Sequence, residues 1–198
     1  MDTVFQIAVL VMSVVIHEVS HGYAARSMGD KTAEYAGRLT LNPIPHIDLW
    51  GSIIIPAILV FSNAGFIIGW AKPVPVNPYN LKNGKWGDAW VSFAGPLSNF
   101  VLALFFGLAA RFDLVPFSVM PIVASIIIIN LVLAVFNMVP IPPLDGSKIL
   151  FAFLPPRLAH WRETMERYGL VLALIFIVFL WRYLTPVIDW LLRLVIGS

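Results

Sequence analysis

Two histidines and a glutamate in residues 17–21, His-Glu-Val-Ser-His, have the types and spacing of a hydrolytic metal site. On a helix, His17 and His21 lie four positions apart on one face, so both imidazoles can reach a single Zn²⁺. Glu18 then stands beside the ion, where its carboxylate can act as a general base. The spacing predicts a metal-dependent hydrolase, and the alternative is a helix with two ordinary histidines.

The position of this motif separates the two interpretations. It lies in the second half of an apolar run, residues 4–25, which is long enough to cross a membrane. An ionisable group at membrane depth costs about 2.5 kcal/mol or more, so such groups usually face the interior of a helix bundle and have a function. The location therefore favours the metal site.

The composition indicates a polytopic membrane protein. Of the 198 residues, 59% are hydrophobic and 12% are charged, whereas about a quarter of the residues of a soluble domain are charged. The net charge of +2, without runs of basic residues, does not indicate a nucleic-acid-binding surface. The absence of cysteine leaves His, Asp and Glu as metal ligands. The first apolar run has no basic region before it and no cleavage pattern, which predicts a retained span and not a signal peptide.

The apolar stretches predict an all-α fold with three core helices and a C-terminal span. A helix needs about 20 residues to cross the hydrocarbon, and residues 4–25, 89–110 and 119–139 meet this requirement. A long tail from residue 168 should contain one span ending near Trp181, followed by an interfacial helix or a second short pass. Residues 1–150 would then form the core, and residues 151–198 a loop and the C-terminal membrane segment.

The segment 51–70 either crosses the membrane or folds back. It contains Pro56, many β-branched residues and a turn-forming run at 62–65. If it folds back, loops 26–50, 71–88 and 140–167 share one face and hold ten of the thirteen basic residues; if it crosses, the split is seven against six. Because basic loops stay in the cytosol, we expect a small re-entrant hairpin at about 51–70. The N-terminus would lie outside and the metal site towards the cytosol.

A carboxylate in a rigid turn forms a second constellation. Residues 137–146 read Asn-Met-Val-Pro-Ile-Pro-Pro-Leu-Asp-Gly, in which three prolines hold the chain extended and Gly146 allows a bend beside Asp145. Two histidines and one carboxylate leave a fourth metal position open, as hydrolysis requires. The fold-back topology puts Asp145 on the same side as His17 and His21. The alternative is a proline-rich loop with a helix-initiating aspartate.

These two motifs together resemble the site-2 protease family of intramembrane zinc metalloproteases, which pairs HExxH with NxxPxPxLDG. The run from Gly95 to Asn99 is similar to the GPxxN element of that family. The resemblance covers roughly residues 10–150 and fits the short bacterial type without a PDZ domain. It implies one Zn²⁺ held by His17, His21 and Asp145, a core of three helices, β-structure between the first two, and cleavage of transmembrane segments of other proteins.

The chemistry of hydrolysis in a dry site suggests roles for the remaining polar residues. Glu18 would take a proton from water and donate it to the leaving amine. The amide of Asn99 or Asn137 would stabilise the oxyanion; the alternatives are helix packing for Asn99 and bracing of the proline-rich turn for Asn137. A helical substrate must be extended before cleavage, and residues 35–41 or 74–76 are candidate edges for strand addition. We expect His46 to be a loop residue bonded to its neighbours.

The predicted function is a zinc-dependent intramembrane endopeptidase of a bacterial or archaeal cell membrane, whose partners are transmembrane protein substrates and the lipid bilayer. One alternative is a zinc transporter, which would need further ligands on a neighbouring helix. The other alternative is a protein that binds membrane proteins without cleaving them, and the intact Glu18 argues against it.

Overall fold

The computed structural model describes residues 3–62 and 69–197, and its regular structure is helical. The α-helices are α1 (Thr3–Ser27), α2 (Thr32–Tyr35), α3 (Ile55–Phe61), α4 (Lys85–Arg111), α5 (Met120–Asn137), α6 (Asp145–Phe153), α7 (Ala159–Ile175) and α8 (Thr185–Ile196). Short 3₁₀ turns cover Ile44–His46, Pro78–Asn80, Phe117–Val119, Pro156–Leu158 and Trp181–Tyr183. Wider π-helical turns cover Leu49–Ile54 and Phe176–Leu180.

Four helices within the described residues are long and apolar enough to cross a membrane: Val4–Ser27, Lys85–Arg111, Phe117–Asn137 and His160–Tyr183. The first three match the predicted core spans to within about one helical turn. The fourth ends close to the predicted end at Trp181, but it begins about two turns before residue 168, because the charged residues 160–167 continue the same helix. The prediction of an all-α membrane fold with three core helices and a C-terminal span agrees with this arrangement.

The prediction of a β-hairpin at 51–70 was wrong, because the described residues contain no strand. The segment instead begins with the π-helical turn Leu49–Ile54 and continues as α3. Asp48 caps this turn by accepting a hydrogen bond from the Gly51 amide at 2.7 Å. A helix satisfies its own backbone groups, whereas a two-stranded hairpin beside lipid would leave two open edges. Of the predicted turn at 62–65, residues 63–65 lie outside the described residues.

The two ends of the segment nevertheless lie side by side. The Trp70 amide donates to the Gly51 carbonyl at 3.1 Å, and the Ser52 hydroxyl donates to the Trp70 carbonyl at 2.8 Å. The chain therefore leaves and returns at one place, as folding back requires. The structure also places no strand at residues 35–41, where α2 ends at Tyr35, or at residues 74–76, which run without regular structure.

The core is built on α4, which packs against both α1 and α5. Ala103, Ile127 and Leu131 are almost fully buried between α4 and α5. Val195 of α8 enters the same cluster, and a Cβ at Gly107 would overlap its side chain. The last helix is thus part of the packed core, since its apolar face covers α4 and α5.

Candidate metal centre

The histidines of α1 and the aspartate that begins α6 converge in the interior of the bundle. His17 and His21 are 6% and 8% exposed. The Nε2 atoms of His17 and His21 lie 3.1 Å and 3.2 Å from one Asp145 carboxylate oxygen, Oδ2. Among the residues that the structure describes, these three form the only group of His, Asp and Glu whose ligand atoms could hold a metal ion.

The distances fit a tetrahedral zinc site. Zinc binds imidazole nitrogen and carboxylate oxygen at about 2.0–2.2 Å, so two ligand atoms of a tetrahedral site lie roughly 3.3 Å apart. Both distances from Oδ2 of Asp145 to the histidine nitrogens are close to this separation, and all three ligand atoms lie within 4.8 Å of one another. The donor set, two imidazoles and one carboxylate, is that of a catalytic zinc and not of a closed structural site.

The outer ring nitrogens of both histidines have acceptor partners. Nδ1 of His21 donates to the carbonyl of Val91 at 2.7 Å, and Nδ1 of His17 donates to the side-chain oxygen of Asn99 at 2.5 Å. Each ring therefore carries a proton on Nδ1, and its Nε2 faces Asp145, where it donates to the carboxylate when protonated or can bind a metal. This is the arrangement that holds a metal-binding histidine in the correct tautomer.

A glycine lets α4 approach the two rings. A Cβ at Gly95 would lie 2.6 Å from Nε2 of His17 and would overlap the ring of His21. Asn99 lies about one turn further along the same face of α4. The run from Gly95 to Asn99 thus combines the space for the metal site with a hydrogen-bond partner for one of its ligands.

A compact turn between α5 and α6 presents Asp145. The Ile141 amide bonds to the Val139 carbonyl at 2.8 Å, and the Leu144 amide bonds to the Ile141 carbonyl at 2.9 Å. A Cβ at Gly146 would overlap the carbonyl of Met138. The glycine is therefore needed because the backbone of the turn passes directly over it, and the turn fixes Asp145 at the start of its helix.

Glu18 contacts a segment that sequence reasoning did not connect with it. The Val74 amide donates to Oε2 of Glu18 at 2.8 Å. We call residues 72–76, Lys-Pro-Val-Pro-Val, the strap. Arg38 holds its first part by donating to the Lys72 carbonyl at 2.7 Å, and the Lys72 amide donates to the His46 carbonyl at 2.9 Å. The strap thus lies beside the motif and orients the Glu18 carboxylate.

A buried aspartate after α1 anchors the far end of the strap. Asp30 is fully buried and accepts from the Asn77 amide at 2.7 Å and from the Asn80 side chain at 3.1 Å. It also accepts from the amide and the hydroxyl of Thr32. Burial alone would raise the pKa of Asp30, but these donors stabilise its charged form and hold the pKa below its ordinary value. Sequence reasoning missed Asp30, which carries no motif.

The other predicted residues lie near the site or apart from it. The side-chain amide of Asn99 is fully buried and faces His17. Asn137 donates to the Leu133 carbonyl one turn earlier in α5 at 3.0 Å. His46 donates from Nε2 to the Thr40 carbonyl at 3.0 Å, as expected for a loop residue, and is not part of the metal-binding group.

Comparison with known proteins finds one matching protein family and several sequence relatives. The family model described as "Peptidase family M50" matches residues 5–115 and 112–180. The chain is 39% identical over 198 residues to YwhC of Bacillus subtilis, named as a candidate zinc metalloprotease, with 95% of this chain and 84% of YwhC covered. It is 28% identical over 192 residues to Rip2 of Mycolicibacterium smegmatis, also named as a candidate zinc metalloprotease, with 96% and 70% covered.

An archaeal relative is more distant and longer. The chain is 26% identical over 172 residues to zinc metalloprotease MJ0392 of Methanocaldococcus jannaschii, with 86% of this chain but only 41% of the relative covered. No solved structure matches the chain significantly. The sequence relatives and the metal-binding geometry thus point to the same chemistry.

Proposed function

The chain belongs to peptidase family M50 and is a zinc metalloprotease of the membrane, and we propose that it hydrolyses peptide bonds in or near the transmembrane segments of other membrane proteins. The observation that carries this proposal is the depth of the metal-binding group within an apolar helix. His17 stands ten residues before the end of α1 at Ser27, which is about 15 Å of helix. A peptide bond that reaches this group must enter the bundle.

We assign His17, His21 and Asp145 as the ligands of the zinc ion, because the Nε2 atoms of both histidines face the same carboxylate oxygen. When bound, the ion supplies Lewis-acid polarisation of a carbonyl and acidifies water. Glu18 is the base in this proposal. The Val74 amide fixes Oε2 of its carboxylate, and Oε1 takes the proton from water and passes it to the leaving amine.

The buried amide of Asn99 supports a different role from the predicted oxyanion contact. Both hydrogens of its amide group already have acceptors, the Ser13 carbonyl at 3.2 Å and the Asn130 side chain at 2.8 Å. Its oxygen faces His17. We therefore favour Asn99 as the residue that orients His17, and Asn137, whose amide bonds back to its own helix, as a brace of the turn before Asp145.

The charge distribution and the relatives support an orientation and a host membrane. Ten of the thirteen basic residues lie within residues 26–50, 71–88 and 140–167, which share one face when 51–70 folds back. Because basic residues favour the cytosolic side, we propose that this face, and the metal site with it, is directed towards the cytosol. The relatives come from bacteria and an archaeon, so we place the protein in a prokaryotic cell membrane. A transporter would need a second metal-binding group along a path, and the described residues form a single group.

The test is cleavage of single-span substrates by the purified protein in detergent. The wild type is compared with Glu18→Gln and with protein whose zinc has been removed by a chelator. We expect both changes to abolish cleavage, since a general base contributes about 10²- to 10⁴-fold, while Glu18→Gln still binds zinc. The same scissile sequence on a soluble carrier is the matched control. Cleavage of the soluble carrier alone would refute the assignment of membrane segments as substrates.

A further inference from the structure

Three polar side chains are buried together where the apolar helices α1, α4 and α5 meet. Ser13, Asn99 and Asn130 are 4%, 0% and 1% exposed. Burying an amide without hydrogen bonds is destabilising, so a buried pair of asparagines in an apolar bundle needs a complete set of partners. Asn130 lies in the middle of α5 and belongs to none of the motifs on which the sequence prediction depended.

The hydrogen bonds form one connected chain that ends at a zinc ligand. Asn130 donates from Nδ2 to the Ser13 hydroxyl at 2.9 Å and to the Ile126 carbonyl at 2.9 Å. Its oxygen accepts from Nδ2 of Asn99 at 2.8 Å. Asn99 donates its second hydrogen to the Ser13 carbonyl at 3.2 Å, and its oxygen faces Nδ1 of His17.

Two backbone carbonyls determine which way both amides point. The Ile126 carbonyl can only accept, so it requires the NH₂ group of Asn130 on its side, which turns the Asn130 oxygen towards Asn99. The Ser13 carbonyl can likewise only accept, so it requires the NH₂ group of Asn99. Flipping either amide would bring oxygen against oxygen. The Asn99 oxygen is therefore left facing His17, and the His17 proton must lie on Nδ1.

We propose that Asn130 and Ser13 are positioning residues of the zinc site, which act through Asn99 to fix the tautomer and ring plane of His17. This inference rests on the proposed role of His17 as a zinc ligand. With Nδ1 bonded to Asn99, Nε2 is the ring nitrogen left to bind the metal, and the ring is held against rotation about its Cβ–Cγ bond. His21 receives the same support from a single backbone carbonyl, that of Val91, whereas His17 depends on side chains from two other helices.

The competing explanation is that the triad only joins the helices. Interhelical hydrogen bonds between polar side chains do stabilise membrane bundles, so loss of stability alone would not support the proposal. The two explanations differ in what a second substitution does. If Asn130 acts through Asn99, then its effect on zinc binding disappears once Asn99 is gone, because contacting residues in one network are not additive.

The experiment measures zinc affinity of the purified, detergent-solubilised full chain by competition with a chromophoric chelator. Removal of an outer partner of a metal ligand typically costs 10- to 100-fold in affinity. We expect a loss in that range for Asn99→Leu and about a tenfold loss for Asn130→Leu, with no further loss in the double variant. Ser13→Ala, which removes the hydroxyl but keeps the backbone carbonyl, is a milder variant for the case that Asn130→Leu does not fold.

The matched control is Ser20→Ala, on the same helix, because the Ser20 hydroxyl donates to the Ile16 carbonyl within α1. It should bind zinc like the wild type. A second readout is the tautomer of His17 in the zinc-free protein, measured by NMR with ¹⁵N-labelled histidine, of which the chain has four. We expect Nδ1 of His17 to be protonated in the wild type and only partly protonated in Asn130→Leu, which removes the shorter of the two hydrogen bonds that orient the Asn99 amide. Ser13→Ala keeps both orienting carbonyls and should lie between the two.

Unchanged zinc affinity and an unchanged His17 tautomer in folded Asn130→Leu and Ser13→Ala would overturn the proposal, whatever happens to their thermal stability. Additive losses in the double variant would overturn it too, since they would show that Asn130 acts independently of Asn99. His17→Gln separates this failure from failure of the proposed function. If His17→Gln leaves zinc binding intact, then the ligand assignment itself is wrong.

Discussion

Adding one methyl group at Gly95 should damage the metal site without touching any ligand. The Cβ of Gly95→Ala would lie 2.6 Å from Nε2 of His17 and would overlap the ring of His21. Ordinary contact with a ring atom requires about 3.4 Å or more, so α4 or the two rings must move by roughly an ångström. Both rings are held at Nδ1, and their movement would break those hydrogen bonds.

The magnitude follows from the cost of overpacking. Inserting a methyl group into a packed interior costs about 1–3 kcal/mol, and each 1.4 kcal/mol corresponds to a factor of ten in a binding constant. If the strain is relieved by displacing the histidines, we expect zinc affinity to fall between about 5-fold and 150-fold. Cleavage should fall at least as much at limiting zinc and recover in part when zinc is raised.

Gly107→Ala is the matched control for this variant. It places the same methyl group on the same helix, and it overlaps Val195 of α8, far along α4 from the metal site. We expect Gly107→Ala to lower thermal stability while zinc affinity stays within about twofold of the wild type, since the overlap is with an apolar side chain of the core. Wild-type zinc affinity in Gly95→Ala would refute the inference that close approach of α4 shapes the site.

Two further predictions concern the strap and its anchor. Val74→Pro removes the amide hydrogen that bonds to Glu18, in a run that already contains two prolines. We expect a roughly tenfold loss of cleavage with unchanged zinc affinity. The control Val74→Ala keeps the amide and should cleave like the wild type. The pKa of Asp30 is lowered in the folded protein, so its stabilising effect is present above its ordinary pKa of about 3.9 and is lost as pH falls below that value. Thermal melting should therefore show Asp30→Asn less stable than the wild type at pH 6, with a smaller gap at pH 3; a constant gap would contradict this.

The residues of the candidate metal centre could be predicted because their signals are local and strong. Four-residue spacing on a helix and a long apolar run are both visible in one sequence, and together they identify His17 and His21. Asp145 needed one more step, the argument from basic loops that brings the two motifs to one side. The structure places Oδ2 of Asp145 within 3.2 Å of Nε2 of both histidines.

The supporting contacts could not be predicted in the same way, for two different reasons. The bond from the Val74 amide to Glu18 is made by a backbone group, which has no sequence signature. Asn130 did have a signal, because a lone asparagine in the middle of an apolar span is costly to bury and needs partners. The error at 51–70 arose because the family resemblance implied β-structure and the β-branched residues were compatible with it. β-propensity, however, depends on the environment of the residue, and a short helix satisfies an isolated apolar backbone better than an open hairpin does.

The strap also limits how a substrate can lie beside the site. The amides of Lys72, Val74 and Asn77 donate to the His46 carbonyl, Glu18 and Asp30. Pro73 and Pro75 have no amide hydrogen. Most backbone N–H donors of residues 72–77 are therefore already bonded or absent. This segment presents mainly carbonyl groups to an extended peptide. A substrate strand that pairs with residues 74–76 must then supply the amide hydrogens itself. Only every second amide of that strand faces residues 74–76, so proline should weaken pairing at one set of alternate positions and leave it intact at the other set. Equal weakening of pairing at both sets would mean that the substrate is held elsewhere.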